Sequence, residues 1–530
     1  MELIDHLLLG WREASSWQNL FYCFLGVTLG NLLGVLPGVG SVAAVSILLP
    51  VTYHVPPATG LIMLAGLYYG AVYGAVTGAI LLNIPHTVSA IECLDGYPMA
   101  QKGRAGIALF MTTMASLAGS SVGIVVLALF APPLAAVALT FQSPEYFALV
   151  VLGMTGAAVL THGSPLKSFI SVILGMLIGL VGIDVTSGAA RFTFGLTSLL
   201  DGIGIGVIAM GLFGISEIII NAGTIAPPVL RPSSITWRSL LPSREEFAAS
   251  WRSIIRGAGI GAGLGLLPGA GPVLASIMGY ALEKQIAQEP GRFGHGAIEG
   301  VVGPEAAANA ACQTGFVPTL TLGIPADPIM AVMLSALTVK GISTGPEFIT
   351  AHPDLFWGLL VSFIIGNVLL VIWHVPFIGL WVRLLTIPFQ LLFPAVLVFM
   401  CIGVYSIRQS SSDVLTMLFF GGVGYAMRLL KFSPAPLLIG LVLGPAMEQH
   451  LRRSLIVSRG DPMIFIQRPI SAAILAAAAV ILTWTIYKSV ALAQAQKNER
   501  ESNNIPGETR TSHLQGKQGV SPDGKSFNHS

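Results

Sequence analysis

Charge is scarce in this chain. Of its 530 residues, 10% are Asp, Glu, Lys or Arg, where a soluble domain carries roughly 25%. The 27 basic residues barely exceed the 25 acidic ones, for a net charge of +2. No field of one sign therefore points to a nucleic-acid partner. Cysteine is scarce too: Cys23, Cys93, Cys312 and Cys401 lie far apart, with no Cys-x-x-Cys pair. That pattern indicates neither a zinc site nor a disulfide framework, and the four read as small buried hydrophobes. There is no Walker pattern and no metal-ligand cluster, so an ATP-driven pump or a metalloenzyme is unsupported. The start, Met-Glu-Leu-Ile-Asp, lacks the basic residues and cleavage site of a signal peptide. The first apolar segment is expected to be retained.

What the chain has in quantity is apolar sequence and glycine: 54% of residues are hydrophobic, mean hydropathy is +0.78, and there are 61 glycines. This is the composition of a polytopic membrane protein. One stretch occurs twice. Gly26-Val-Thr-Leu-Gly30-Asn-Leu-Leu-Gly34-Val-Leu-Pro37-Gly38-Val-Gly40 is answered by Gly257-Ala-Gly-Ile-Gly261-Ala-Gly-Leu-Gly265-Leu-Leu-Pro268-Gly269-Ala-Gly271, at a constant offset of 231 residues. Four glycines of each copy recur every fourth residue, along one face of a helix, where a second backbone can come close. Pro-Gly-x-Gly then stops the helix, because proline removes an amide donor and glycine permits angles closed to other residues.

Each half carries a further break. Asn83-Ile84-Pro85 ends 48 residues after Pro37, and Gly323-Ile324-Pro325 ends 57 after Pro268. The difference of nine fits a polar insertion near 284–296. Broken helices in lipid need partners for their freed backbone groups, and they persist where they line a cavity. Paired breaks in two halves are the sequence mark of a secondary transporter's binding site. The expected fold is all-α and polytopic, with about 12 spans in two related, inverted halves containing broken or re-entrant helices. Residues 1–221 form the first membrane repeat, 222–256 a cytoplasmic linker rich in arginine, 257–491 the second repeat with the C-terminal spans, and 492–530 a disordered polar tail. Arg452, Arg453, Arg459 and Arg468 argue for another cytoplasmic loop.

Half-helix amide ends suit anions and unwound carbonyls suit cations. The backbone amides of Gly38, Gly40, Gly269 and Gly271 are the expected anion contacts, since no span centre holds an arginine. Asn83, Thr87 and Ser89 offer neutral polar groups beside the first Ile-Pro break. Asn309, Gln313 and Thr314 do the same in the second half. His86, Glu305 and Asp327 are candidates for coupling to a cation, because an acid at the bilayer centre costs roughly 2.5–3.5 kcal/mol. For His86 the competing reading is a hydrogen-bonded structural histidine; for Glu305, a place at the interface. Asp184 and Glu217 are explained as well by helix caps and loop contacts. Gly119-Ser120-Ser121-Val122-Gly123 matches the nucleophile pattern of serine hydrolases, but it lies in a small-residue apolar helix with no strand before it and reads as helix packing.

The residues resemble one family over nearly the whole chain to about 470: the large membrane subunit of tripartite tricarboxylate transporters. The resemblance is carried by Gly34-Val-Leu-Pro-Gly-Val-Gly40, Tyr69-Gly70 through Asn83-Ile-Pro85, and Asp95-Gly-Tyr-Pro-Met-Ala100. It continues in Gly182-Ile-Asp184, Arg191-Phe-Thr-Phe-Gly195, Leu267-Pro-Gly-Ala-Gly271, Phe293-Gly-His-Gly-Ala-Ile-Glu-Gly-Val301, Leu322-Gly-Ile-Pro325 and Leu443-Gly-Pro445. It implies a protein of the bacterial cytoplasmic membrane that works with a small four-span subunit and a periplasmic solute-binding protein, neither of which this chain contains. It also implies uptake of carboxylates such as citrate on a sodium or proton gradient, without ATP or a bound cofactor. Three positions depart from the family pattern: His86 and Ala326 stand where it has glycine after Ile-Pro, and Ala308 replaces an asparagine beside Asn309. The alternatives are a stand-alone carboxylate symporter and an intramembrane serine hydrolase.

Overall fold

The computed structural model describes residues 2–36, 40–84, 88–160, 164–184, 186–221, 240–267, 269, 271–384 and 389–503. The chain forms two compact units, 1–482 and 483–530, and everything below concerns the first. Its described part is almost entirely helical.

Helices α1 (Glu2–Ala14), α2 (Trp17–Val35), α3 (Ser41–Thr52) and α4 (Pro57–Leu82) open the chain. Short α5 (Cys93–Gln101) leads into α6 (Ala105–Ala138), then α7 (Ser143–Leu160) and α8 (Pro165–Gly179). A small antiparallel hairpin follows, β1 (Gly182–Ile183) and β2 (Ala190–Arg191), with Gly182 opposite Arg191. Helix α9 (Ile205–Asn221) contains a π-helical stretch at Met210–Ile215. The second half has α10 (Arg244–Gly265), α11 (Gly271–Ile286), α12 (Glu299–Thr314), α13 (Phe316–Leu322), α14 (Pro328–Val339) and α15 (Pro353–His374). Helices α16 (Ile378–Leu384), α17 (Phe389–Arg408), α18 (Ser411–Leu429), α19 (Pro434–Val457) and α20 (Pro469–Asn503) complete it. Among the described residues, five helices are long and apolar enough to cross a membrane: α2, α4, α6, α15 and α20 over Pro469–Tyr487; six shorter apolar helices accompany them. This is an all-α, multi-pass membrane protein.

Why these elements pack as they do is visible at the repeated glycines. A β-carbon on Gly26, Gly30 or Gly34 of α2 would collide with the carbonyl oxygen of Met63, Leu67 or Ala71 of α4. On Gly257 or Gly261 of α10 it would collide with that of Gly303 or Ala307 of α12, and on Gly265 it would strike Thr314 Oγ1. The two pairs are built alike, and residues 240 apart correspond. Met63 answers Gly303, Leu67 answers Ala307, and Asn83 answers Gly323. Both α4 and α13 end on a left-handed residue, Asn83 at φ 55° and Gly323 at φ 71°. The next amide in each case, Ile84 or Ile324, then bonds back to the carbonyl of Gly78 or Pro318. Tyr68 of α4 lies beside Cys312, and Tyr73 beside Glu305. Numbering rises along one helix as it falls along the other, so α4 and α12 run antiparallel.

Several expectations shift. The stretch 222–256 is helical from Arg244 onward, started by a capping box in which Ser243 and Glu246 exchange hydrogen bonds. The tail expected from 492 is helical to Asn503. The polar segment of the second half narrows to the loop before α12. There Asp95 Oδ1 accepts from the amides of Gly294, Gly296 and Ala297 at 2.7–2.9 Å, and Tyr280 donates to Oδ2 at 3.0 Å. The buried acid fastens the insertion to α5.

The sidedness of one loop needs correction. Arg104 caps the start of α6 and pairs with Glu246. Arg468 pairs with Glu145 and donates to Gln142 Oε1, just past the other end of α6. At 34 residues α6 is one continuous helix, about 51 Å long. The linker that holds Glu246, read as cytoplasmic, and the Arg452–Arg468 loop therefore lie at opposite ends of α6, and where α6 crosses the membrane they cannot both be cytoplasmic.

Candidate functional site

The ends of broken helices meet around a cavity of about 450 Å³, within the size range of small-molecule sites. Four helices present their first turns to it: α3 with Gly40 to Ala43, α11 with Gly271 to Val273, α14 with Asp327 to Ile329, and α19 with Ser433 to Ala435. Proline at the first turn of α11, α14 and α19 suits a helix start, where the missing amide has no partner to lose. Neither Gly40 nor Ser433 caps its helix with a side chain. Each helix start carries roughly half a positive charge. Four aimed into one cavity favour an anion.

Three charged side chains border it. Asp327 accepts from the Tyr68 hydroxyl with one oxygen and from the Met330 amide at 2.8 Å with the other, so its charge is taken up by its own helix start. Arg428, in the last turn of α18, pairs with Glu217 of α9. Both residues line the cavity, and the guanidinium is its one basic side chain among the described residues. A single arginine at the end of an apolar span carries no spacing signal, and sequence reasoning passed over it, as it did Tyr68.

The expected site residues separate into groups. Gly40, Gly269, Gly271 and Asp327 line the cavity. Gly269 and Gly271 have φ of +78° and +58°, while Gly40 has an ordinary extended backbone and open space where a β-carbon would stand. Neither a neighbour nor a backbone angle requires glycine at 40. Gly38, His86 and Thr87 lie outside the described residues. Asn83 is exposed at the end of α4. Ser89 is buried between Val88 and Ala90, which do line the cavity, and its hydroxyl has no partner among the described residues. Thr314 donates to the carbonyl of Ala310 at 3.1 Å and crowds Gly265, which is a packing role.

Glu305, Asn309 and Gln313 are buried together on α12, outside the cavity lining. Glu305 accepts from Ser116 of α6 and, at 2.8 Å, from Asn309 Nδ2. The Gly-x-Ser-x-Gly stretch is packing: a β-carbon on Gly119 or Gly123 would meet the carbonyl oxygen of Ala306 or Ala310, and Ser121 donates to the Leu117 carbonyl at 2.7 Å.

Residues 20–439 match the description "tripartite tricarboxylate transporter TctA family". An uncharacterised 52.8 kDa protein of the TAR-I ttuC′ 3′ region of Agrobacterium vitis is 48% identical over 477 residues, 90% of this chain and 95% of that protein. An uncharacterised protein of the TAR-II ttuC′ 3′ region of the same organism is 51% identical over 227 residues, 43% of this chain and 94% of that protein. No solved structure matches. The fold, the paired breaks and a match over most of the length agree: the chain belongs to the tripartite tricarboxylate transporter TctA family.

Proposed function

We propose that the protein is the large membrane subunit of a tripartite, binding-protein-dependent secondary transporter of the bacterial cytoplasmic membrane, importing a carboxylate on a sodium or proton gradient. The observation that carries this is the convergence of four helix starts, with Arg428, on one cavity. Helix starts hold a carboxylate by backbone amides without fixing a buried side-chain charge, and Arg428 stands ready to exchange Glu217 for a solute carboxylate. The partners are a small four-span subunit and a periplasmic solute-binding protein. About 12 spans in two inverted repeats complete the reading, and the antiparallel course of α4 and α12 supports the inversion.

Gentle affinity purification from native membranes, followed by mass spectrometry, tests the assembly. A small four-span partner is the expected companion. A chain that purifies alone yet takes up carboxylate in liposomes is instead a stand-alone symporter. Gly269→Val, which forces a side chain onto a positive φ and into the backbone of Gly156 and Ala157, is expected to abolish uptake while the protein still inserts. Normal uptake in that variant would remove the Pro-Gly-x-Gly break from the site.

A further inference from the structure

A second polar site lies in the interior, apart from the solute cavity. Glu92, at the start of α5, is 0% exposed and Glu305, in α12, is 1% exposed. Ser276, which holds Glu92, lies on α11, whose Gly279 packs against Gly303, Pro304 and Ala307 of α12, the turn that carries Glu305. Among the described residues, no arginine, lysine or histidine forms an ion pair with either. Their hydrogen bonds come from neutral groups: Ser276 to Glu92 Oε1 at 3.2 Å, and Ser116 and Asn309 to Glu305. Among the described residues, three buried oxygens here remain without a partner, as does Gln313 Nε2. The oxygens are Glu92 Oε2, Asn309 Oδ1 on the amide that holds Glu305, and Gln313 Oε1 one turn further along the same face of α12.

Two neighbouring carboxylates out of water repel, and one of them has to be neutralised. Unpartnered carboxylate and amide oxygens are costly when buried and are the ligands a small hard cation prefers. We propose that Glu92 and Glu305, with Asn309 and Gln313, bind one monovalent cation, sodium or a proton, at a site separate from the solute cavity. That this ion drives uptake rests on the transporter reading; that it binds does not. The titratable groups facing the pair are Tyr73 on α4, Cys312 on α12 and Cys93 beside Glu92, while His86 lies outside the described residues.

The test is thermal unfolding of the purified full-length chain in detergent. Sodium chloride is compared with choline chloride at equal ionic strength, at about pH 6 and about pH 8. A sodium site raises the midpoint with sodium at both pH values. A proton site shows no sodium response and is stabilised on going from the higher pH to the lower. In either case Glu92→Gln and Glu305→Gln weaken the response about tenfold or abolish it, and Asp184→Asn, distant in the hairpin, leaves it intact. Wild-type protein with neither response, or glutamine variants that respond like wild type, would overturn the proposal. If a glutamine variant does not purify, Ser116→Ala and Ser276→Ala each remove one hydrogen bond from the pair. They are expected to shift the half-saturating sodium or the midpoint pH severalfold, and unshifted values overturn the proposal equally. An ion response without carboxylate uptake in liposomes leaves this site standing and removes the transport reading.

Discussion

At the residue scale, the repeated glycines differ sharply in what they face. A β-carbon on Gly261 would strike the backbone of Ala307, whereas Gly263, two positions on, has nothing within 4 Å of it. Gly263→Ala is therefore expected to hold or raise stability by about 0.5–1 kcal/mol, through helix propensity alone. Gly261→Ala overpacks the α10–α12 contact and is expected to cost about 1–3 kcal/mol. Thermal unfolding in detergent compares the two, and equal midpoints would show that the close approach does not hold the helices. This spacing was legible in the sequence because a four-residue period is a geometric statement. Glu92 and Arg428 were not: a lone charged residue in apolar sequence has no period, and only the folded chain shows what it meets.

At the element scale, the same break is built with different residues in the two halves. Asn83 and Gly323 both hold positive φ at the end of a helix, a conformation that glycine takes freely and asparagine tolerates. Gly323→Asn is expected to fold and transport as wild type, while Gly323→Val is expected to destabilise by about 1–3 kcal/mol. Unfolding midpoints and uptake measured side by side check the pair. The hairpin makes a second case. Asp184 accepts from Ser187 at 2.6 Å, from Arg452 at 2.9 Å and from the Thr186 amide at 3.2 Å, and these contacts hold its carboxyl well below the ordinary value of 3.8. A lowered folded value means the contribution is full above the ordinary value and fades as pH falls through the lower one. The protection factors of the amides in residues 182–191, which correct for the pH dependence of intrinsic exchange, are expected to stay constant from neutral pH down to the ordinary value and to fall only below it. Asp184→Asn should exchange faster at neutral pH and lose the acid dependence; a wild-type hairpin that loosens between neutral and mildly acid pH would contradict this. The breaks were readable because Pro and Gly mark them. The hairpin was not, because four strand residues between apolar helices leave too short a pattern, and 166–184 reads as one span.

At the scale of the whole molecule, the charge pattern is at odds with the fold in one place, since two arginine-rich regions read as cytoplasmic lie at opposite ends of α6. The positive-inside rule counts arginines, and four of them marked 452–468 as cytoplasmic. Arg452 is paired with Asp184 and Glu448, and Arg468 with Glu145. Those side chains are fastened to neighbouring helices, and the loop lies across α6 from Arg104. Gln101→Cys and Gln467→Cys, both at exposed positions, are expected to be labelled by a membrane-impermeant thiol reagent from opposite faces of the membrane. Labelling of both from one face would mean that α6 does not cross.

The glycine contacts have a mechanical consequence. Where backbones touch without side chains between them, there is no compliant layer to slide through, and close-packed interfaces deform little. The pairs α2 with α4 and α10 with α12 therefore behave as two stiff girders. Any stroke that carries a solute past them has to be taken up where helix tips meet one another, at the glycine- or proline-started ends of α3, α11, α14 and α19, which act as the joints of the machine.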